Sequence, residues 1–160
     1  MPVPRYAPHR PLPARAFVPG REGSVRPIEG LSKLEARTFA PEKWRENEAW
    51  LFGVDLWNNG FLWEAHEAWE SIWRVPFDAE QSEFLRGMIQ CAASALKLTI
   101  GNASSATKLS QSGLERLEKV TLSPTGRYMG LDVRSFSNAF RAYIAANGPG
   151  NEVPPRLTLE

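Results

Sequence analysis

The chain has 160 residues, 42% of them apolar and 23% charged, which suits one domain with a real core and excludes a disordered, solvating chain. Nineteen Lys and Arg against eighteen Asp and Glu leave a net charge of +1. That balance argues against a dedicated nucleic-acid binder, whose affinity comes from clustered positive charge. The single cysteine, Cys91, has no partner for an internal disulfide, so no oxidising compartment is implied. No secretory leader is visible, because prolines interrupt the first twenty residues before any apolar run develops. No stretch approaches the roughly 18 apolar residues of a membrane span. A cytoplasmic protein with no membrane partner is therefore expected.

Residues 1–40 read as an irregular arm. Seven of the thirteen prolines fall there, at positions 2, 4, 8, 11, 13, 19 and 27. Proline lacks an amide proton and restricts its predecessor, so neither a long helix nor an inner strand fits. Arg5, Arg10, Arg15, Arg21 and Arg26 are spaced along the arm and partly offset by Glu22 and Glu29. The expectation is a strap laid over the domain, with Phe17 and Val18 as anchors.

Residues 41–147 read as a helical domain. Pro41 suits a first helical turn, with Glu42 near its positive end, and the first helix runs to Trp57 before Asn58-Asn59-Gly60. A second helix is expected from about Phe61 to Arg74, and a third from Glu80 to Ile100. The short Gly101-Asn102 link makes the third helix and a fourth, Ala103 to Val120, antiparallel neighbours. Pro124, Gly126 and Gly130 mark a loop. A last helix spans about Asp132 to Ala146, ended by Asn147-Gly148-Pro149. No strand period is found, and residues 148–160 read as a loose tail. The fold class expected is all-α: a compact bundle of about five helices with a Pro/Arg-rich arm.

All six tryptophans lie between Trp44 and Trp73. On the second helix, Trp63, His66, Glu67, Glu70, Trp73 and Arg74 share one face at 100° per residue. Ala65, Ala68, Trp69 and Ile72 fall on the other, and Glu64 and Ser71 are expected at the surface. Indoles beside charges suggest a partly covered site. His66 and Glu70 stack one turn apart, as do Glu70 and Arg74. Glu67 and Glu70 repel unless a cation lies between them. Arg74, Arg86, Lys97 or a metal ion would serve. The third helix is apolar over most of its girth but carries a narrow stripe of Arg86, Gln90 and Lys97, and Gln90 needs a partner there.

The expected site is thus a polar pocket between the second and third helices. His66, Glu67, Glu70 and Arg74 come from one side, Gln90 with Arg86 or Lys97 from the other, and Asp55 closes one end. The His66-Glu67-x-x-Glu70 pattern is one letter from the zinc-peptidase helix motif. His66 and Glu70 supply two metal ligands where a zinc site normally has three. Asp55 on the first helix is a candidate third, and the other histidine, His9, sits in the arm. Paired Glu-x-x-His motifs of di-iron bundles are absent. His66, Glu67 and Glu70 are equally candidates for general acid–base work, although one helix face does not define a glycosidase-type separation. A His-Glu-Arg network that only fixes helix docking explains the same residues.

The run from Gly53 through Asn58-Asn59-Gly60-Phe61-Leu62-Trp63-Glu64-Ala65-His66-Glu67-Ala68-Trp69-Glu70-Ser71-Ile72-Trp73-Arg74 resembles the signature of a bacterial and archaeal family, domain of unknown function 309. Phe84-Leu85-Arg86-Gly87-Met88-Ile89-Gln90-Cys91-Ala92-Ala93 resembles its second block, Gly101-Asn102 the turn after it, and the likeness covers about residues 50–120. Ala16-Phe17-Val18-Pro19-Gly20-Arg21 is similar to an arm segment of longer members. Those carry histidines just beyond, where this chain has Glu22-Gly23-Ser24-Val25-Arg26. The resemblance implies a small all-helical domain centred on the His-Glu-x-x-Glu face and brings no activity with it. Two classes of function stand open. One is a metal- or small-molecule-binding enzyme, with no cofactor expected beyond a divalent metal. The other is a non-catalytic binding or self-assembly module, with a homo-oligomer as one form and no specific partner named.

Overall fold

The computed structural model describes residues 3–21, 36–122, 124–146 and 153–160. Arg26, Glu22, Glu29 and the expected stop at Asn147-Gly148-Pro149 lie outside the described residues.

The chain turns helical at Pro41, but the first helix divides in two. Pro41–Glu46 is a 3₁₀ segment, and helix α1 runs Glu48–Asn58. Between them Asn47 leaves helical geometry (φ −85°, ψ 88°) and its side chain accepts a bond from Trp50 N–H at 3.3 Å. Asparagine competes with the backbone for such bonds, so it caps a new helix better than it continues an old one.

Helix α2 is Leu62–Trp73, α3 is Ala79–Thr99 and α4 is Ala103–Glu118. Asp78 caps α3 through Gln81 N–H at 2.7 Å, and Asn102 caps α4 through Ser105 N–H at 3.1 Å. A small antiparallel hairpin then pairs β1, Arg127–Tyr128, with β2, Leu131–Asp132, and leads into α5, Val133–Ala146. Two-residue strands are too short to show a period in sequence, which is why the hairpin reads there as loop. The molecule is a mostly helical bundle, as expected, and no described helix is long and apolar enough to cross a membrane.

Helices α1 to α4 pack in succession, each on the next. Gly87 and Gly113 bring α3 and α4 together: a Cβ on Gly113 would lie 2.9 Å from the Gly87 carbonyl oxygen. Trp50, Trp57 and Trp69 are fully buried and form the centre of the core, with Trp50 and Trp57 ring centroids 5.5 and 6.0 Å from Trp69. Each buried indole N–H needs an acceptor. Trp50 donates to the Met129 carbonyl at 3.1 Å, Trp69 to that of Trp50 at 3.3 Å, and Trp57 to that of Pro155 at 2.8 Å.

That last bond belongs to the tail, which is not loose over residues 153–160. The Asn58 amide brackets Leu157, donating to its carbonyl and accepting its N–H, each at 2.8 Å. Leu159 bridges to Leu131 and donates its N–H to the Tyr6 hydroxyl at 3.0 Å. Leu157 is fully buried and Leu159 nearly so, so two leucines in a Pro-rich end act as core residues.

Candidate functional site

Helix α2 carries its apolar face, Leu62, Ala65, Ala68, Trp69 and Ile72, into the core. The opposite stripe is half-covered: the side chains of His66, Glu67 and Glu70 keep 23%, 35% and 27% of their exposure. His66 Nε2 lies 3.1 Å from Glu70 Oε1, and Nδ1 lies 3.5 Å from Glu67 Oε1. Arg74 Nη2 stands 3.8 Å from Glu70 Oε2 on a largely exposed side chain. One donor atom from each of His66, Glu67 and Glu70 falls within 4.8 Å of the others. Among the described residues no other His, Cys, Asp or Glu group converges in this way.

Two carboxylates thus face one imidazole, and the nearest cation is solvated. Charge favours a positive guest there. Trp63 and Trp73 flank the stripe, both half-buried. Phe17 from the arm packs edge-on against Trp63 at 4.9 Å. Arg86 from α3 lies over the Trp73 ring at 5.8 Å, and the Trp73 indole N–H is buried without an acceptor among the described residues.

The structure does not bring the other expected residues to this stripe. Gln90 faces α4, where its Oε1 accepts from Ser112 Oγ at 3.2 Å and Arg116 Nε at 3.0 Å. The polar stripe of α3 is therefore divided: Arg86 borders α2, while Gln90 serves the α3–α4 contact. Lys97 is half-buried near the end of α3 and pairs with none of the stripe residues. Asp55 is fully buried and holds the arm: it accepts from Arg5 Nε at 2.9 Å and from the backbone N–H groups of Tyr6 at 2.7 Å and Ala7 at 2.8 Å. A carboxylate so saturated is not a third metal ligand. Cavities of about 490 and 530 Å³ lie between α4 and α5, and one of about 460 Å³ lies beside the hairpin; the α2 stripe lines none of the three.

Glu64 overturns the expectation of a surface residue. It is fully buried, and one oxygen accepts the Phe17 N–H at 2.9 Å while the other has no partner among the described residues. Burial pushes its pKa up, against a smaller opposing effect of the Phe17 N–H. Glu64 and Ala68 are one turn apart, so the buried face of α2 extends to it; that spacing was the available signal. Ser71 turns back instead, donating to the Ala68 carbonyl at 2.6 Å. Cys91 is fully buried on the apolar side of α3, where burial pushes its thiol far up, consistent with an inert core thiol.

The model of the family described as Domain of unknown function (DUF309) matches residues 50–109. The match begins in α1, includes the whole α2 stripe and α3, and ends within α4. No curated protein and no solved structure matches the chain.

Proposed function

We propose that the His66-Glu67-Glu70 face of α2 holds a divalent metal ion of the first transition row and uses it to bind or activate a small polar molecule. The observation that carries this reading is the convergence of the three donor atoms within 4.8 Å. Ligands bound at about 2.1 Å and roughly a right angle apart are about 3 Å from each other, and His66 Nε2 and Glu70 Oε1 are 3.1 Å apart. Glu67 is the third donor, or the carboxylate that orients the imidazole through Nδ1. A metal held by so few protein ligands would keep coordination positions open for water or substrate, and would polarise whatever bound there. Arg74 and Arg86 at the rim suit an anionic group on the bound molecule.

A purely structural network has less support. Its role would be to lock α2 against a neighbour, yet the ion pairs of His66 and Glu70 run within α2. Half-exposed pairs of this kind are worth about 0.3–0.5 kcal/mol. A self-assembly module would draw on the half-covered Trp63 and Trp73, but Trp50, Trp57 and Trp69 are taken up by the core.

Metal analysis of protein purified without a histidine tag, followed by calorimetric titration with zinc and manganese, tests the reading. One ion per chain should bind and raise the melting temperature. His66→Ala and Glu70→Gln should each abolish binding with helicity retained, and His9→Ala should leave it intact. Absence of bound metal, no response of melting to added ions, and unchanged behaviour of His66→Ala would together overturn it.

A further inference from the structure

A cleft of about 460 Å³ lies where the 3₁₀ segment, the start of α3 and the hairpin meet. Trp44 and Phe77 give it an apolar wall, and Glu42, Asp78 and Glu80 line it with carboxylates. Phe77 is 53% exposed, one of few large apolar side chains so placed among the described residues. Trp44 already carries the Arg45 guanidinium over its ring at 4.2 Å, so Phe77 is the open aromatic surface. Asp78 and Glu80 each give one oxygen to a backbone N–H, of Gln81 at 2.7 Å and Thr121 at 2.9 Å, and keep the other. Neither they nor Glu42 form an ion pair among the described residues, whereas Glu160 is met by Arg127 at 3.2 Å.

The second observation is Tyr128. It lines the same cleft, is only 6% exposed, and its hydroxyl is buried with no partner among the described residues. An unpaired buried phenol is a cost that phenylalanine would avoid at the same volume. Burial first, then Asp78, Glu80 and Glu42, push its pKa up, so the group stays a neutral hydroxyl close to those acids. Tyr128 thus brings to the cleft wall a buried hydroxyl whose hydrogen-bonding capacity is unused among the described residues.

We propose that this cleft binds an organic cation, an alkylammonium or guanidinium group, with N–H donors on Tyr128 and the free carboxylate oxygens and its methylenes against Phe77. Spread carboxylates beside an aromatic face suit an extended cation better than a bare ion. Glu42, Asp78 and Glu80 do not converge as the α2 triad does, which speaks against a metal. The same chemistry has two sources, a free polyamine or a basic side chain of another polypeptide.

Heteronuclear NMR of the isotope-labelled full chain tests this. Spermidine and an acetylated, amidated Gly-Lys-Gly peptide are titrated separately, with hexanediol and magnesium ions as controls. At least one of the two cations should shift the Thr121 and Gly130 amides to saturation. Tighter spermidine binding identifies a free polyamine; tighter peptide binding identifies a polypeptide side chain. Tyr128→Phe should weaken binding about tenfold without lowering the melting temperature, and Glu42→Gln, at an exposed position, should weaken it with the core untouched. The proposal fails if neither cation saturates, if hexanediol or magnesium shifts the same amides equally, or if both variants bind like the parent chain.

Discussion

Replacing Gly53 with alanine tests whether the tryptophan core sets the position of α2 and hence of its stripe. A Cβ at residue 53 would lie 2.1 Å from Trp69 Nε1, 2.5 Å from Cδ1 and 2.8 Å from Cε2. Relaxed heavy-atom contacts sit at about 3.5–4.0 Å, so the indole or α1 must move by more than about 1 Å. Trp69 has nowhere to go: it is fully buried, bounded by the rings of Trp50 and Trp57, and tied to the Trp50 carbonyl. Overpacking of this kind costs about 1–3 kcal/mol, and stranding the indole N–H adds about 1–3 kcal/mol. Alanine recovers about 1 kcal/mol of helix propensity over glycine. The net loss expected is about 1–5 kcal/mol, read by urea denaturation with tryptophan fluorescence. In a Trp69→Phe background the penalty should shrink, because the closest atom is gone. Propensity alone predicts the opposite sign, so a Gly53→Ala protein as stable as the parent or more so would refute the reasoning.

The acids behind the arm give two further predictions. Burial raises the Glu64 pKa in the folded state above its ordinary 4.5. A raised acid contributes stability that is complete below its unfolded pKa and is lost as pH rises through the folded one. Glu64→Gln does not titrate, so its stability relative to the parent should improve from about pH 4.5 up to the raised folded pKa and then level off; parallel denaturation profiles across that range would contradict the assignment. Asp55→Ala leaves Arg5 and the Tyr6 and Ala7 amides without their acceptor. Cutting one partner from a buried ion pair costs about 3–5 kcal/mol, and release of the arm into water limits the loss. Trypsin should then cut after Arg5 and Arg15 several times faster, with α1 to α4 intact, while the Arg10–Pro11 bond resists it in either case. Unchanged cleavage would mean that other contacts hold the arm.

Helix positions were legible in the sequence because α2 to α5 bury apolar residues that repeat at helical spacing. Asn58-Asn59-Gly60 and Gly101-Asn102 marked real ends for the same local reasons. What escaped depends on surfaces brought from far along the chain. A helical wheel has one inside, but α2 has two: the core and the arm. Glu64 faces the second, so a residue assigned to solvent lies fully buried. Asp55 followed the same rule, its charge answered by Arg5 from the arm. Gln90 was rightly read as needing a partner, but α3 lies between α2 and α4, and periodicity does not say which neighbour a polar stripe meets. The His66-Glu67-Glu70 convergence was legible because all three residues belong to one helix. The cleft at Tyr128 was not, since its walls come from three segments that sequence spacing never juxtaposes.

The Tyr6–Leu159 hydrogen bond joins residues 153 positions apart. It has a kinetic meaning beyond packing. Contacts among α1 to α4 link successive helices and close short loops, which form fast. Closing a loop of nearly the whole chain carries about the largest entropic cost this molecule can meet, and only a finished α1 surface offers arm and tail something to land on. Assembly should therefore run from the helical hairpins outward, with arm and tail the last to dock and the first to lift. Native-state amide exchange should find Leu159 opening more readily than Trp69. If so, Glu64 and Asp55 are sampled by water far more often than the tryptophans they lie beside, and the region around α2 is renewed from its arm side.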